Sequence, residues 1–253
     1  MSIAIIGGTG VGQFPLEGEP ERVIVSTRWG DAEMLRGMLS GKTVYFLARH
    51  SGGHKLPPHR VNFRANVAAL ATMGVKAVFA TTAVGSLRAD WGPGTLVVLD
   101  DLIDFCLART GKTFFDDTPV HTDVTHPYSE PLRQVLLATG EGVCDGGTYL
   151  CADGPRYETS AEVRLFASWG AHVVGMTGIP EATLAREAGL HYAGISLVTN
   201  LGAGIGEGEI SHHGVETVMA ETGVRLRRLI TGAVERLDFE ALPKIGPGVY
   251  FGS

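Results

Sequence analysis

Arg49 and His50 stand together at the end of an apolar run, residues 43–48. Both are groups that bind anions. An arginine presents a rigid fork of donors matched to phosphate oxygens, and a histidine adds a titratable one. Read alone, Arg49 suits a surface ion pair better than a ligand contact. Gly7-Gly8-Thr9-Gly10 follows another apolar run, residues 3–6, and offers backbone N–H groups and the Thr9 hydroxyl to an anion. It does not have the Gly-x-Gly-x-x-Gly spacing of a dinucleotide loop, and Pro15, Gly18 and Pro20 prevent the helix such a loop must enter. Thr81-Thr82-Ala83-Val84-Gly85-Ser86 places two hydroxyls and small residues after a third apolar run. No Gly-x-Ser-x-Gly elbow surrounds Ser86, which argues against a serine hydrolase. Tyr157 offers a ring to stack on a base. Glu158 offers either an acceptor for a base N–H or a charge that suits the helix start beside it. His50, His54 and His59 have no carboxylate or cysteine among them, and Pro57-Pro58 breaks any helix, so no metal site is expected.

The elements that must position these groups are legible in outline. Strands are predicted over residues 3–6, 43–48, 77–82, 95–99, 149–152, 173–176 and 192–199. A helix is predicted over 61–73, closed by Gly74. Thr159-Ser160-Ala161-Glu162 fits a capping box opening a helix through Ser168. Pro180 suits the first position of a helix running to about Ala188, with Gly189 ending it. A loop with Gly202, Gly204, Gly206 and Gly208 leads to Ser211, the expected cap of a last helix. That helix should turn Val215, Val218, Met219, Leu226, Leu229 and Ile230 inward. Strands and helices read as alternating, which predicts one α/β domain over residues 1–253, with 238–253 an irregular surface extension. Thr9, Arg49-His50, Thr82-Ala83, Met176-Thr177 and Asn200 all fall just after strands, where α/β folds gather their ligands. That repeated placement points to one site.

Composition narrows the function classes. The chain has 253 residues, 44% hydrophobic and 19% charged, which is enough apolar material for a packed core. A net charge of −6 argues against nucleic acid as the main partner. Cys106, Cys144 and Cys151 form no Cys-x-x-Cys pair and read as free thiols of a reducing cytoplasm. The first apolar run is too short for a signal peptide or a membrane span.

Taken in order, the segments resemble the trimeric purine nucleoside and methylthioadenosine phosphorylase family. The matching stretches are Ile6-Gly-Gly-Thr-Gly10, Leu47-Ala-Arg-His50 with His54, Val61-Asn-Phe-Arg-Ala-Asn66, Thr81-Thr-Ala-Val-Gly-Ser-Leu87, Gly154-Pro-Arg-Tyr-Glu158, Gly175-Met-Thr-Gly-Ile-Pro-Glu181 and Leu197-Val-Thr-Asn200. They cover about residues 3 to 237. Ser51 departs from the glycine that the family often has after its Arg-His pair. The resemblance implies a mixed β-sheet core partly closed into a barrel, flanked by helices, and a homotrimer. It implies a phosphate site of Thr9, Arg49, His50, Thr82, Ala83 and Thr177, with Met176 under the ribose. It also implies that Tyr157, Glu158 and Asn200 hold the base, that His212 faces the 5′ group, and that His121 reaches a neighbouring subunit's site. His50 and Asn200 would be the catalytic pair, and phosphate a co-substrate, with no metal or organic cofactor. The methylthioadenosine enzymes of this family usually have aspartate where Asn200 stands and a second one at Gly202, and often lack the Glu158 equivalent. This chain is therefore expected to be a 6-oxopurine member, with methylthioinosine or methylthioadenosine as the alternative substrate. A nucleoside hydrolase would not need the anion donors, and neither would a silent purine-binding protein.

Overall fold

β1 (Ser2–Gly7) is buried along its whole length, so its apolar residues must be covered on both faces. The computed structural model describes residues 1–8, 11, 13–51, 56–140, 142–206 and 212–246, with only the backbone for 212–216. Ala4 and Ile6 pack into one buried cluster, which includes Ala68 and Leu70 of α1 (Phe63–Thr72) and Ala182, Leu184 and Ala185 of α4 (Glu181–Glu187). Ile3 and Ile5 turn to a second cluster with Leu132 and Leu136 of α2 (Glu130–Thr139) and Leu226, Leu229 and Ile230 of α5 (His212–Arg236). The period-two alternation of a strand thus divides one apolar run between two helical layers.

Beside β1 run β4 (Lys42–Ala48) and β5 (Val75–Ser86), both parallel to it. β2 (Glu17–Thr27) and β3 (Gly30–Leu39) extend that edge as an antiparallel meander. The remaining strands are β6 (Leu96–Val98), β7 (Asp101–Phe105), β8 (Val143–Asp145), β9 (Thr148–Ala152), β10 (Val173–Gly175) and β11 (His191–Leu201), and α3 (Ser160–Ser168) lies between β9 and β10. The sheet forks at β5. One arm runs through β10 and β9 to β7, the other through β11 and β6 to β8. Among the described residues no pairing joins β7 to β8, so the curl stops short of full closure.

This fork makes the site. One edge of β5 pairs with β1 as far as Ala80 and with β10 only from Gly85. Between those points the edge has no strand neighbour among the described residues, and a crevice opens.

The strict alternation of strands and helices is overturned. Four strands, β1 to β4, precede the first α-helix. β2 escapes the sequence reading because it is an exposed edge with Pro20 inside it, a residue that an edge strand tolerates. α1 is shorter than predicted, because Asn62 caps it by accepting from the Ala65 N–H. Pro180 is the N-cap of α4, one position before the expected one. The capping box of Thr159 and Glu162 is present as read. Met219, Leu226, Leu229 and Ile230 are buried, whereas Val218 is half-buried and Val215 lies outside the described side chains. The tail after Leu237 is irregular over its described part, but Phe239 and Leu242 pack on the second cluster, and the Pro243 carbonyl lies 2.8 Å from His191 Nε2. No helix among the described residues is long and apolar enough to cross a membrane.

Candidate active site

A cavity of about 500 Å³ occupies the crevice, a volume suited to a nucleoside-sized ligand. His50, Ala83, Thr177, Met176, Tyr157, Glu158, Asn200 and Gly202 all line it. Eight residues read from separate segments of sequence thus converge in space.

The β11–β5 pairing shifts register between Val198 and Asn200. Such a bulge re-aims side chains, and here both Thr199 and Asn200 reach the cavity. Asn200 Oδ1 accepts from Thr199 Oγ1 at 3.0 Å, and its Nδ2 donates to the Leu201 carbonyl at 2.9 Å. The amide keeps one further N–H and one further lone pair for a ligand. Glu158 is half-buried, and among the described residues no other residue donates to its carboxylate. Burial pushes its pKa above the ordinary glutamate value. Tyr157, 37% exposed, forms the outer wall.

Among the residues expected to bind an anion, His50 Nδ1 lies 2.8 Å from the Leu56 carbonyl, which assigns the proton to Nδ1. Nε2 is then an acceptor in the neutral ring and a donor in the charged one. Gly8 closes the wall so tightly that a Cβ there would lie 2.7 Å from the Thr81 carbonyl and 2.8 Å from Arg49 Nη1. Its N–H donates to Thr81 Oγ1 at 3.0 Å.

Two expected phosphate ligands are engaged elsewhere. Arg49 is fully buried behind the wall and does not line the cavity. Its Nε and Nη2 fork onto Glu181 at 2.7 and 2.6 Å, and Nη1 donates to the Thr81 carbonyl at 2.7 Å. Tyr192 donates its hydroxyl to the same carboxylate at 2.7 Å. The bidentate geometry that suits phosphate suits a carboxylate equally, and a buried cation requires such a partner. Thr82 is likewise buried, its hydroxyl 2.8 Å from Ser196 Oγ. His121 is exposed and does not line this chain's cavity. Thr9 and His54 lie outside the described residues, as does the His212 side chain. Ser51 has φ 61, in the left-handed region that favours glycine, and nothing in the structure explains the serine there.

The sequence signature of the phosphorylase superfamily matches residues 2–235. The chain belongs to that superfamily. It is 43% identical over 247 residues to a protein of Dictyoglomus turgidum named probable 6-oxopurine nucleoside phosphorylase, covering 95% of this chain and 93% of that one. It is 44% identical over 240 residues to a probable S-methyl-5′-thioinosine phosphorylase of Methanothermobacter thermautotrophicus, covering 94% and 85%. Among solved structures, methylthioadenosine phosphorylase from Schistosoma mansoni in complex with adenine matches with a TM-score of 0.85 at 30% identity, covering 92% of this chain and 90% of that one.

Within this superfamily member, sequence reasoning missed three side chains that support the site. Glu181 ends the stretch Gly175-Met-Thr-Gly-Ile-Pro-Glu181, and its role as the partner of Arg49 is set by the fold. Tyr149 sits in a predicted strand, and its hydroxyl accepts the N–H groups of Thr177 and Gly178 at 3.2 and 3.1 Å. Arg109 lies in an irregular segment with no helical or strand period to single it out.

Proposed function

We propose that the protein cleaves inosine and guanosine with inorganic phosphate, giving free purine and ribose 1-phosphate. The observation that carries this reading is the pairing of Glu158 and Asn200 on one cavity with His50 and Thr177. A 6-oxopurine carries an N1–H donor and an O6 acceptor, whereas adenine carries the reverse. A carboxylate to which no other described residue donates accepts the N1–H of an oxopurine and repels the N1 lone pair of adenine. Asn200 has an N–H to give to N7 and relieves the charge that gathers on the leaving base. Phosphate held by the Thr177 hydroxyl, His50 and backbone groups near Gly8 and Ala83 stabilises the cationic sugar and attacks C1′ as the C1′–N9 bond breaks. The bond broken and the bond formed share one carbon, so catalysis is positioning and electrostatics. No metal, organic cofactor or covalent enzyme intermediate enters this scheme. In the same reading Arg49 acts from behind the wall: it holds the Thr81 carbonyl at 2.7 Å, and the Thr81 hydroxyl in turn holds the Gly8 N–H at 3.0 Å.

The likeness to a thioinosine phosphorylase favours a second substrate, methylthioinosine. It carries the same base, so Glu158 and Asn200 serve both, and only the 5′ pocket distinguishes them. We further propose a cytoplasmic homotrimer in which His121 completes a neighbour's site.

The test is a panel of inosine, guanosine, methylthioinosine, adenosine and methylthioadenosine, each with and without phosphate. Base release should need phosphate and yield sugar 1-phosphate. Equal turnover to free sugar in phosphate-free buffer means a hydrolase. Faster cleavage of methylthioadenosine than of inosine at matched concentration refutes the assignment of Glu158.

A further inference from the structure

Arg109 donates to three backbone carbonyls. Its Nη2 reaches Met176 O at 3.0 Å and Asp153 O at 3.1 Å, and its Nη1 reaches Ile179 O. The first and last belong to the turn that carries Met176 and Thr177. Asp153 opens the loop that carries Tyr157 and Glu158. The turn is held from two sides: Tyr149 accepts its N–H groups at Thr177 and Gly178, and Arg109 donates to its carbonyls at Met176 and Ile179. Met176 O and Thr177 N belong to one peptide unit, so that unit is fixed at both ends. The guanidinium also lies 5.3 Å from the Phe63 ring centre at the start of α1.

Charge adds to this geometry. Arg49 is matched by Glu181, but Arg109 makes no ion pair among the described residues. Its Nε and Asp153 Oδ1 are the two buried side-chain polar atoms without a partner there. Such atoms cost stability, so their retention needs a reason. They stand at the contact between the turn and the base loop.

We propose that Arg109 is a positioning residue that couples the phosphate turn to the base loop. It sets the Met176–Thr177 peptide against the anion and supplies a positive charge to that turn. This inference rests on the phosphorolysis reading above.

The test is initial-rate kinetics of wild type, Arg109→Met and Arg109→Lys with inosine and phosphate varied independently, alongside thermal melts. Wild type without phosphate-dependent cleavage overturns the phosphorolysis reading itself. With wild type active, Arg109→Met should raise the phosphate KM at least tenfold and the inosine KM severalfold. Arg109→Lys should recover part of the phosphate KM, because it restores charge, but little of the inosine KM, because it lacks the fork. A folded Arg109→Met enzyme with both KM values within twofold of wild type overturns the coupling. If Arg109→Met does not fold, Arg109→Lys and Asp153→Asn decide. Unchanged KM values in both overturn it, and a raised phosphate KM in the first with a raised inosine KM in the second supports it.

Discussion

Glu158 and Asn200 both line the cavity, and the proposed reading makes these two small groups the ones that select the base. Glu158 has its pKa raised by burial, so it takes up a proton at higher pH than an ordinary glutamate at about 4.3. Protonated, it no longer accepts N1–H and instead offers a donor to the adenine N1 lone pair. The ratio of adenosine to inosine kcat/KM should therefore rise as pH falls, and Glu158→Gln should flatten that rise. A ratio that stays constant as pH falls to the ordinary glutamate value of about 4.3 contradicts the role. Asn200→Asp should shift preference toward 6-aminopurines. Each mispaired buried polar edge costs about 1–3 kcal/mol, so discrimination should change roughly tenfold or more. Competition assays with inosine and adenosine read this directly.

At the scale of elements, the wall behind the cavity depends on a buried ion pair that links the end of β4 to α4. Arg49 and Glu181 both have side-chain exposures of 0%. Removing one partner strands the other charge in the interior. Glu181→Ala should accordingly destabilise the fold by about 3–5 kcal/mol. It should also depress phosphate use, because Arg49 and Gly8 lose their fixed relation. Chemical denaturation and phosphate titration separate the two effects, and a variant as stable as wild type rules out the structural part. The bulge at the end of β11 carries a second consequence. A Cβ on Gly202 would lie 3.0 Å from the Ser86 carbonyl and 3.2 Å from Val163. The backbone has closed up where methylthioadenosine-type sequences carry aspartate. Adding Gly202→Asp to Asn200→Asp should lower stability by about 1–3 kcal/mol through overpacking, without further gain on adenosine. A double variant that melts with the single one removes this explanation.

The whole molecule adds constraints that no single element holds. His191, at the start of β11, joins α2 to the C-terminal segment: Nδ1 lies 2.7 Å from Ser129 Oγ and Nε2 2.8 Å from Pro243 O. Burial is the main cause of its lowered pKa, with nearby Arg186 adding to it and the Pro243 contact opposing. The folded protein then binds fewer protons than the unfolded chain below about pH 6.5. The stability that neutral His191 contributes is complete above that pH and is lost as pH falls through the folded value. Wild type should melt progressively earlier on acidification across that window, and His191→Gln should show a shallower dependence. Parallel melting curves for the two proteins exclude His191 as the cause. Assembly is tested at the same scale. If His121 serves a neighbouring site, inactive Asn200 and His121 variants co-assembled in one oligomer should recover activity. No recovery in verified mixed oligomers counts against the shared site.

The ordered motifs were enough to place this chain in its superfamily, because several separate segments match in one order along residues 2–235. His50, Ala83, Met176, Thr177 and Asn200 were legible as residues just after strands, Tyr157 and Glu158 as residues before a helix, and Gly202 as part of a glycine-rich loop; all meet at one cavity. Local patterns also revealed the buried strands and the Thr159 capping box, since both depend on neighbours in sequence. What they did not reveal depends on distant neighbours. Whether Arg49 turns its fork to a ligand or to a carboxylate is decided by Glu181, which stands 132 residues away. Arg109 has no periodicity to mark it, and its role exists only because β9 and β10 bring two loops over it. The edge strand β2 reads as loop because an edge needs no apolar repeat. Sequence by itself determined which groups are present and which strand ends carry them. Tertiary structure decided which of them face the cavity, because orientation is set by partners that the chain reaches only after folding.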